Sequence, residues 1–172
     1  MADYPPAEFL RRLQATGFRD LSGTRASATI PINERLINEW VATRVPPTGP
    51  LSAVVVHPLE GDRFAVRLTP RAAFLPGVTL TLEIEAQPDL PSSPVLRLRM
   101  ATMGGLLGFA AGALPIGGML PPGVSLQRDH ILVDLQAVVR HHGGADVLQH
   151  VTRLRVNTEV GRVVLHVGIA IT

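Results

Sequence analysis

VTLTLEIEA, residues 78–86, alternates without a break. Val78, Leu80, Leu82 and Ile84 fall on one side, and Thr79, Thr81, Glu83 and Glu85 on the other. Successive side chains of a strand point to opposite faces, so this is a strand with one buried and one solvated face, as antiparallel sheets build. Upstream, LSAVVVHPL (51–59) and RFAVRLTP (63–70) flank a turn at EGDR and read as a hairpin. Downstream, QPDLPSSP (87–94) is a surface connection. VLRLRM (95–100) is a further strand with Arg97 and Arg99 on one face.

The pattern extends in both directions. TRASATIPI, Thr24 to Ile32, predicts a strand, and Asn33 then caps a helix over ERLINEWVATR. Leu36, Ile37, Trp40 and Val41 share one face of that helix, which Pro46 and Pro47 stop. Pro5 to Thr16 predicts a shorter helix with an apolar stripe of Phe9, Leu10 and Leu13. Beyond residue 124, Ser125 to Leu135 reads as a strand and DLQAVVRHH as a helix. Gly143-Gly144 interrupts that helix and ADVLQHV resumes it. VTRLRVNTEVGRVVLHVGIAI (151–171) closes the chain as two strands with a turn near Thr158 to Arg162.

The order strand, helix, strand, turn, strand thus occurs twice. IPIN and VDLQ each enter a helix, which is either a βαββ pseudo-repeat or shared local grammar. The expected fold class is α+β: a long, twisted, mostly antiparallel sheet wrapped around two or three helices. The expected organisation is an N-terminal helical segment over 1–21 and a single α+β domain over 22–172.

This arrangement resembles the tubular lipid-binding (TULIP) superfamily, in particular its single-module bacterial members. The resemblance rests on the β–α–β–β grammar, the helix entered through IPINERLINEW, hairpins such as VVVHPLEGDRFAVRL and an interior poor in aromatics. It covers about Ser22 to Ile171 and carries no diagnostic motif. It implies binding of lipids or other hydrophobic molecules in an elongated groove between helix and sheet, and it carries over no catalytic residue. Members of that group are often exported or lipid-anchored. Here MADYPPAEFLRRLQ lacks the basic-then-apolar layout of a secretory signal, and there is no lipidation cysteine. The expected location is cytoplasmic, with peripheral membrane contact left open.

Composition narrows the classes further. Of 172 residues, 46% are hydrophobic and only 4% aromatic, so the interior is aliphatic and offers few rings for stacking a ligand. Every basic residue is Arg, the net charge is only +2, and Arg11-Arg12 is the one adjacent basic pair. A nucleic-acid surface needs clustered basic residues interleaved with aromatics, so that class is set aside. The chain has no Cys, hence no disulfide, no thiolate nucleophile and no Cys-based metal site.

No nucleophile elbow, phosphate loop or dinucleotide fingerprint occurs, so neither an enzyme nor a cofactor is expected. His142, Asp146 and His150 follow i, i+4, i+8 spacing beside His141, but Gly143 and Gly144 break the helix that would align them. They read as solvated helix-end residues, with no metal site. Asp129, His130 and Asp134 have no nucleophile at a recognisable spacing. Arg97 with Arg99, and Arg153 with Arg155, alternate on strands. Each pair either contacts acidic headgroups or a partner, or forms the solvated side of a sheet.

Between Met100 and Gln127 no side chain is charged. Gly104, Gly108 and Gly112 form a GxxxGxxxG face on a helix expected from about Ala101 to Leu114, with Leu106, Leu107, Phe109 and Leu114 elsewhere on it. Pro115 and Gly117-Gly118 stop that helix after about 14 residues, short of the roughly 20 that a membrane span requires. The segment is then plain core, a close-packing face, or an apolar lining or gate. The expected function is non-enzymatic binding of a lipid or other hydrophobic ligand, lined by Leu36, Ile37, Trp40, Val41, Leu106, Leu107, Phe109 and Leu114. The alternative is an assembly protein that buries the glycine face and sheet surface against copies of itself or another protein.

Overall fold

A computed structural model describes residues 15, 21–101, 120, 122–141 and 148–171. The element order is β1 (Arg25–Asn33), α1 (Glu34–Ala42), β2 (Leu51–Leu59), β3 (Arg63–Pro70), β4 (Val78–Ala86), β5 (Val95–Met100), β6 (Val124–Gln127), β7 (His130–Asp134), α2 (Leu135–His141), β8 (Val151–Glu159) and β9 (Arg162–Ala170). The fold is a sheet-rich α+β arrangement in which every strand pairing is antiparallel. Among the described residues there are two helices. The helices expected over Pro5–Thr16 and Ala101–Leu114 lie outside the described residues, apart from Ala15 and Ala101.

One expectation needs correction. The strands form two sheets instead of one: a six-stranded sheet in the order β2-β3-β4-β5-β7-β6 and a three-stranded sheet in the order β1-β9-β8. The physical reason lies at the sheet edges, whose backbone groups must find partners. On edge strand β2, the Asn38 side chain donates to the Val56 carbonyl (2.9 Å) and accepts from the Val56 N–H (2.7 Å). On edge strand β8, Gln87 does the same for Val156, at 2.7 and 2.9 Å. Each amide side chain acts as a one-residue strand and ends the ladder there.

The sheets are then joined through their hairpin turns. Gly161 N–H donates to Pro58 O (3.1 Å), and Glu34 N–H donates to Gly161 O (2.8 Å). Asp62, in the left-handed region at φ 58°, accepts from the Thr158 N–H and the Asn157 side chain, both at 3.1 Å. The buried Thr158 hydroxyl accepts from Arg63 N–H at 2.8 Å. Asp is among the few residues that tolerate a left-handed turn position, and its carboxylate here bonds the opposite hairpin.

The alternation of residues 78–86 places the core. Val78, Leu80 and Leu82 are buried, and the register aligns them with Leu68, Val66 and Phe64 on β3. Leu96, Leu98 and Met100 continue this face on β5 and, with Leu82, pack against Val156 and Val163 of the three-stranded sheet. A second cluster of Leu51, Leu68, Val78 and Leu80 lies at the other end of the six-stranded sheet, with Val45 and Val54 against it. Val66 borders both clusters.

A second correction concerns Ser125–Leu135, expected as one strand. It is the β6–β7 hairpin, turned tightly through Arg128 (φ 55°) and Asp129, and β7 then pairs with β5. The β–α–β–β order does occur twice, as β1-α1-β2-β3 and β7-α2-β8-β9. Both helices start on a side-chain cap: Asn33 accepts from Leu36 N–H at 2.8 Å, and Asp134 from Ala137 N–H at 3.0 Å. Gly123 packs over the second helix start. Its φ is 87°, and a Cβ there would lie 2.8 Å from Val138 Cγ2 and 2.9 Å from Asp134 O, so only glycine fits. No helix among the described residues is long and apolar enough to cross a membrane.

Candidate functional site

Helix α1 lies against the inward face of the six-stranded sheet and leaves a cavity of about 240 Å³ beneath it. From the helix and the chain that follows come Trp40, Val41, Arg44, Val45 and Pro46. The floor consists of inward sheet positions, among them Val54, Val56, Val66, Leu68, Leu80 and Leu82. Leu120 and Ile131 complete the lining among the described residues. Branched aliphatic side chains dominate because these positions are the apolar half of each strand's alternation, set at one level by the antiparallel register.

Two side chains give the cavity a polar border. The Arg44 guanidinium sits 4.9 Å from the centre of the Trp40 ring, a cation–π distance. Trp40 is 48% exposed while lining the cavity, so its ring has one side on the apolar space and another toward solvent. Arg44 is the one charged residue of the lining described above. Anchoring of the helix is polar and local. Glu34 meets His57 Nδ1 at 2.7 Å, and Asn38 holds β2 through its amide.

The residues of the expected ligand-binding face stand in different places. Trp40 and Val41 line the cavity, Ile37 packs on the core between the sheets, and Leu36 is 53% exposed. Leu106, Leu107, Phe109, Leu114 and the glycine face of Gly104, Gly108 and Gly112 lie outside the described residues. Sequence reasoning missed the sheet contribution, although the alternation carried the signal: Leu80 and Leu82 appeared there only as the buried face of a strand.

The two arginine pairs, alike in sequence, differ in surroundings. On β5, Arg99 bonds Glu83 at 2.8 Å, and Arg97 lies 3.7 Å from Glu85 on the neighbouring strand. The Glu83 carboxylate raises the Arg99 guanidinium above its ordinary pKa, first through that hydrogen bond and then through its charge. His130 joins this surface network, with Nε2 at 3.0 Å from Glu85 and Nδ1 at 2.7 Å from Asp129. On β8, Arg153 and Arg155 have no ion-pair partner among the described residues. They border a groove of about 540 Å³ on the three-stranded sheet. Of the expected histidine group, His142 and Asp146 lie outside the described residues.

Neither protein-family models, curated proteins nor solved structures give a match. The functional reading therefore rests on these two concavities and their chemistry.

Proposed function

We propose that the protein is a non-enzymatic binder of a lipid or other hydrophobic molecule, whose aliphatic chain enters the cavity between α1 and the six-stranded sheet. The observation that carries this reading is a cavity walled by Val and Leu side chains whose polar border, among the described residues, consists of Trp40 and Arg44. Apolar chains transfer from water into such a space with a gain of about 0.8 kcal/mol per buried CH₂, so no catalytic group is required. The cavity takes a short chain or one segment of a longer one, since drug-sized pockets begin at about 300 Å³. Arg44 suits the acidic end of an amphiphile whose chain lies inside. The helix laid over an antiparallel sheet, with an aliphatic space between, is also what the TULIP resemblance implies.

A second reading has its own observation. Leu36, Trp40 and Ile30 are 53%, 48% and 44% exposed, more apolar surface than one helix and its preceding strand ordinarily present to water. Subunit assembly would cover it, with the same chain or another protein as partner. Native mass spectrometry of the purified protein separates the two. The binding reading expects a monomer carrying a co-purified lipid, released by organic extraction. An oligomer that carries no lipid and does not take up added fatty acid would sink it.

A further inference from the structure

We infer that the outer face of the three-stranded sheet is a binding site for the phosphate group of a small soluble phosphomonoester. The register builds the site from three strands. Ser27, Gly168 and Arg153 form one row across β1, β9 and β8, and Thr29, His166 and Arg155 form the next. All six border the groove of about 540 Å³. Successive rows on one face are about 7 Å apart along a strand, a spacing that long arginine side chains can span to reach a single anion.

Three observations select the ligand. The first is charge. By register this face carries Arg25, Arg153, Arg155 and Arg162 against one carboxylate, Glu159, which already bonds Arg162 at 2.6 Å. Asp62, at the turn end, is occupied by Asn157 and Thr158. The matching pair Arg97 and Arg99 faces Glu85 and Glu83, so positive charge without a counter-charge on the next strand is particular to the three-stranded sheet.

The second is donor type. Two guanidinium forks, the Ser27 and Thr29 hydroxyls and the His166 ring, whose Nδ1 already lies 3.2 Å from the Thr29 hydroxyl, offer more donors than a two-oxygen carboxylate can accept. A terminal phosphate, with three oxygens, matches forked arginines bidentately. The third is shape. Gly168 sits between Ser27 and Arg153, and a Cβ there would come within 3.2 Å of Arg153 Cβ and 3.4 Å of Thr152 Oγ1. The row is therefore close-packed at Gly168, and the concavity that takes a phosphoryl group is the groove of about 540 Å³ that these residues border. A small soluble phosphomonoester enters a groove of that size, whereas a flat membrane surface meets only its rim, so the proposal commits to a soluble ligand.

The test titrates the full-length protein with phenyl phosphate and follows the ³¹P resonance, using R153Q/R155Q and R97Q/R99Q variants whose fold is checked by circular dichroism. T29V is a milder third variant that leaves both arginines in place. Wild type and R97Q/R99Q are expected to bind saturably with the same Kd. R153Q/R155Q is expected to bind at least about tenfold more weakly, as for loss of charge-assisted hydrogen bonds, and T29V to fall between. Equal affinity in R153Q/R155Q and wild type overturns the proposal. So does absence of saturable binding by wild type, or flotation with phosphatidic-acid vesicles without binding of phenyl phosphate. The site shares no residue with the apolar cavity, so neither proposal's failure decides the other.

Discussion

The two sheets use one strand grammar and reach opposite surfaces. In the six-stranded sheet the apolar half of the alternation is buried and the polar half neutralises itself, with Glu83 and Glu85 opposite Arg99 and Arg97. In the three-stranded sheet, Arg153 and Arg155 have the same spacing, but the strand beside them supplies His166 and Gly168 where the other supplies carboxylates. Its edge strand β1 is exposed over nearly its whole length. The difference teaches that an alternating arginine pair acquires its meaning from the neighbouring strand. One sheet spends its surface charge internally. In the other, Arg153 and Arg155 meet no carboxylate among the described residues.

The comparison breaks first, and with the largest effect, at burial. Leu98→Ala in the core of the six-stranded sheet should cost about 2–5 kcal/mol in urea unfolding, whereas Ile30→Ala on the exposed edge strand should cost well under half of that. Equal costs would mean that β1 is covered in solution. Next comes the edge that separates the sheets. Gln87→Leu leaves the Val156 N–H and carbonyl without their partner and should cost about 1–3 kcal/mol. An unchanged denaturant midpoint would show that the amide does not end the ladder.

The smallest effect sharpens the comparison most. Arg99→Gln should lower the melting temperature slightly at low salt and not at all at high salt, as for an exposed ion pair. Arg153→Gln should leave it unchanged or raise it, because no carboxylate among the described residues is lost as a partner. The Arg99 guanidinium, its pKa raised by Glu83, remains charged throughout the pH range in which proteins fold, so the Arg99→Gln effect should not vary between about pH 7 and 9.

Much of the fold was legible because alternation and caps are local signals. Residues 78–86, the hairpin over 51–70 and the Asn33 cap all read directly from neighbouring side chains. The β6–β7 turn did not, because Arg128 takes a left-handed conformation with no glycine to mark it. Division into two sheets was equally hidden. It depends on Asn38 reaching Val56 and Gln87 reaching Val156, the second across 69 positions of chain. For the cavity, the helix half was legible in Trp40 and Val41, while the sheet half looked like ordinary core. For the groove, the arginines were visible, but Thr29 and His166 are 137 positions apart and meet only through strand register.

Trp40 offers the most direct test, because it is the only tryptophan in the chain and it lines the cavity. Titration with a bromine-substituted fatty acid should quench its fluorescence saturably, with a shift of emission to shorter wavelength. Val66→Phe, which fills the floor of the cavity, should remove the quenching without unfolding the protein. Unquenched emission in wild type, or identical quenching in Val66→Phe, would contradict a hydrophobic ligand seated between helix and sheet.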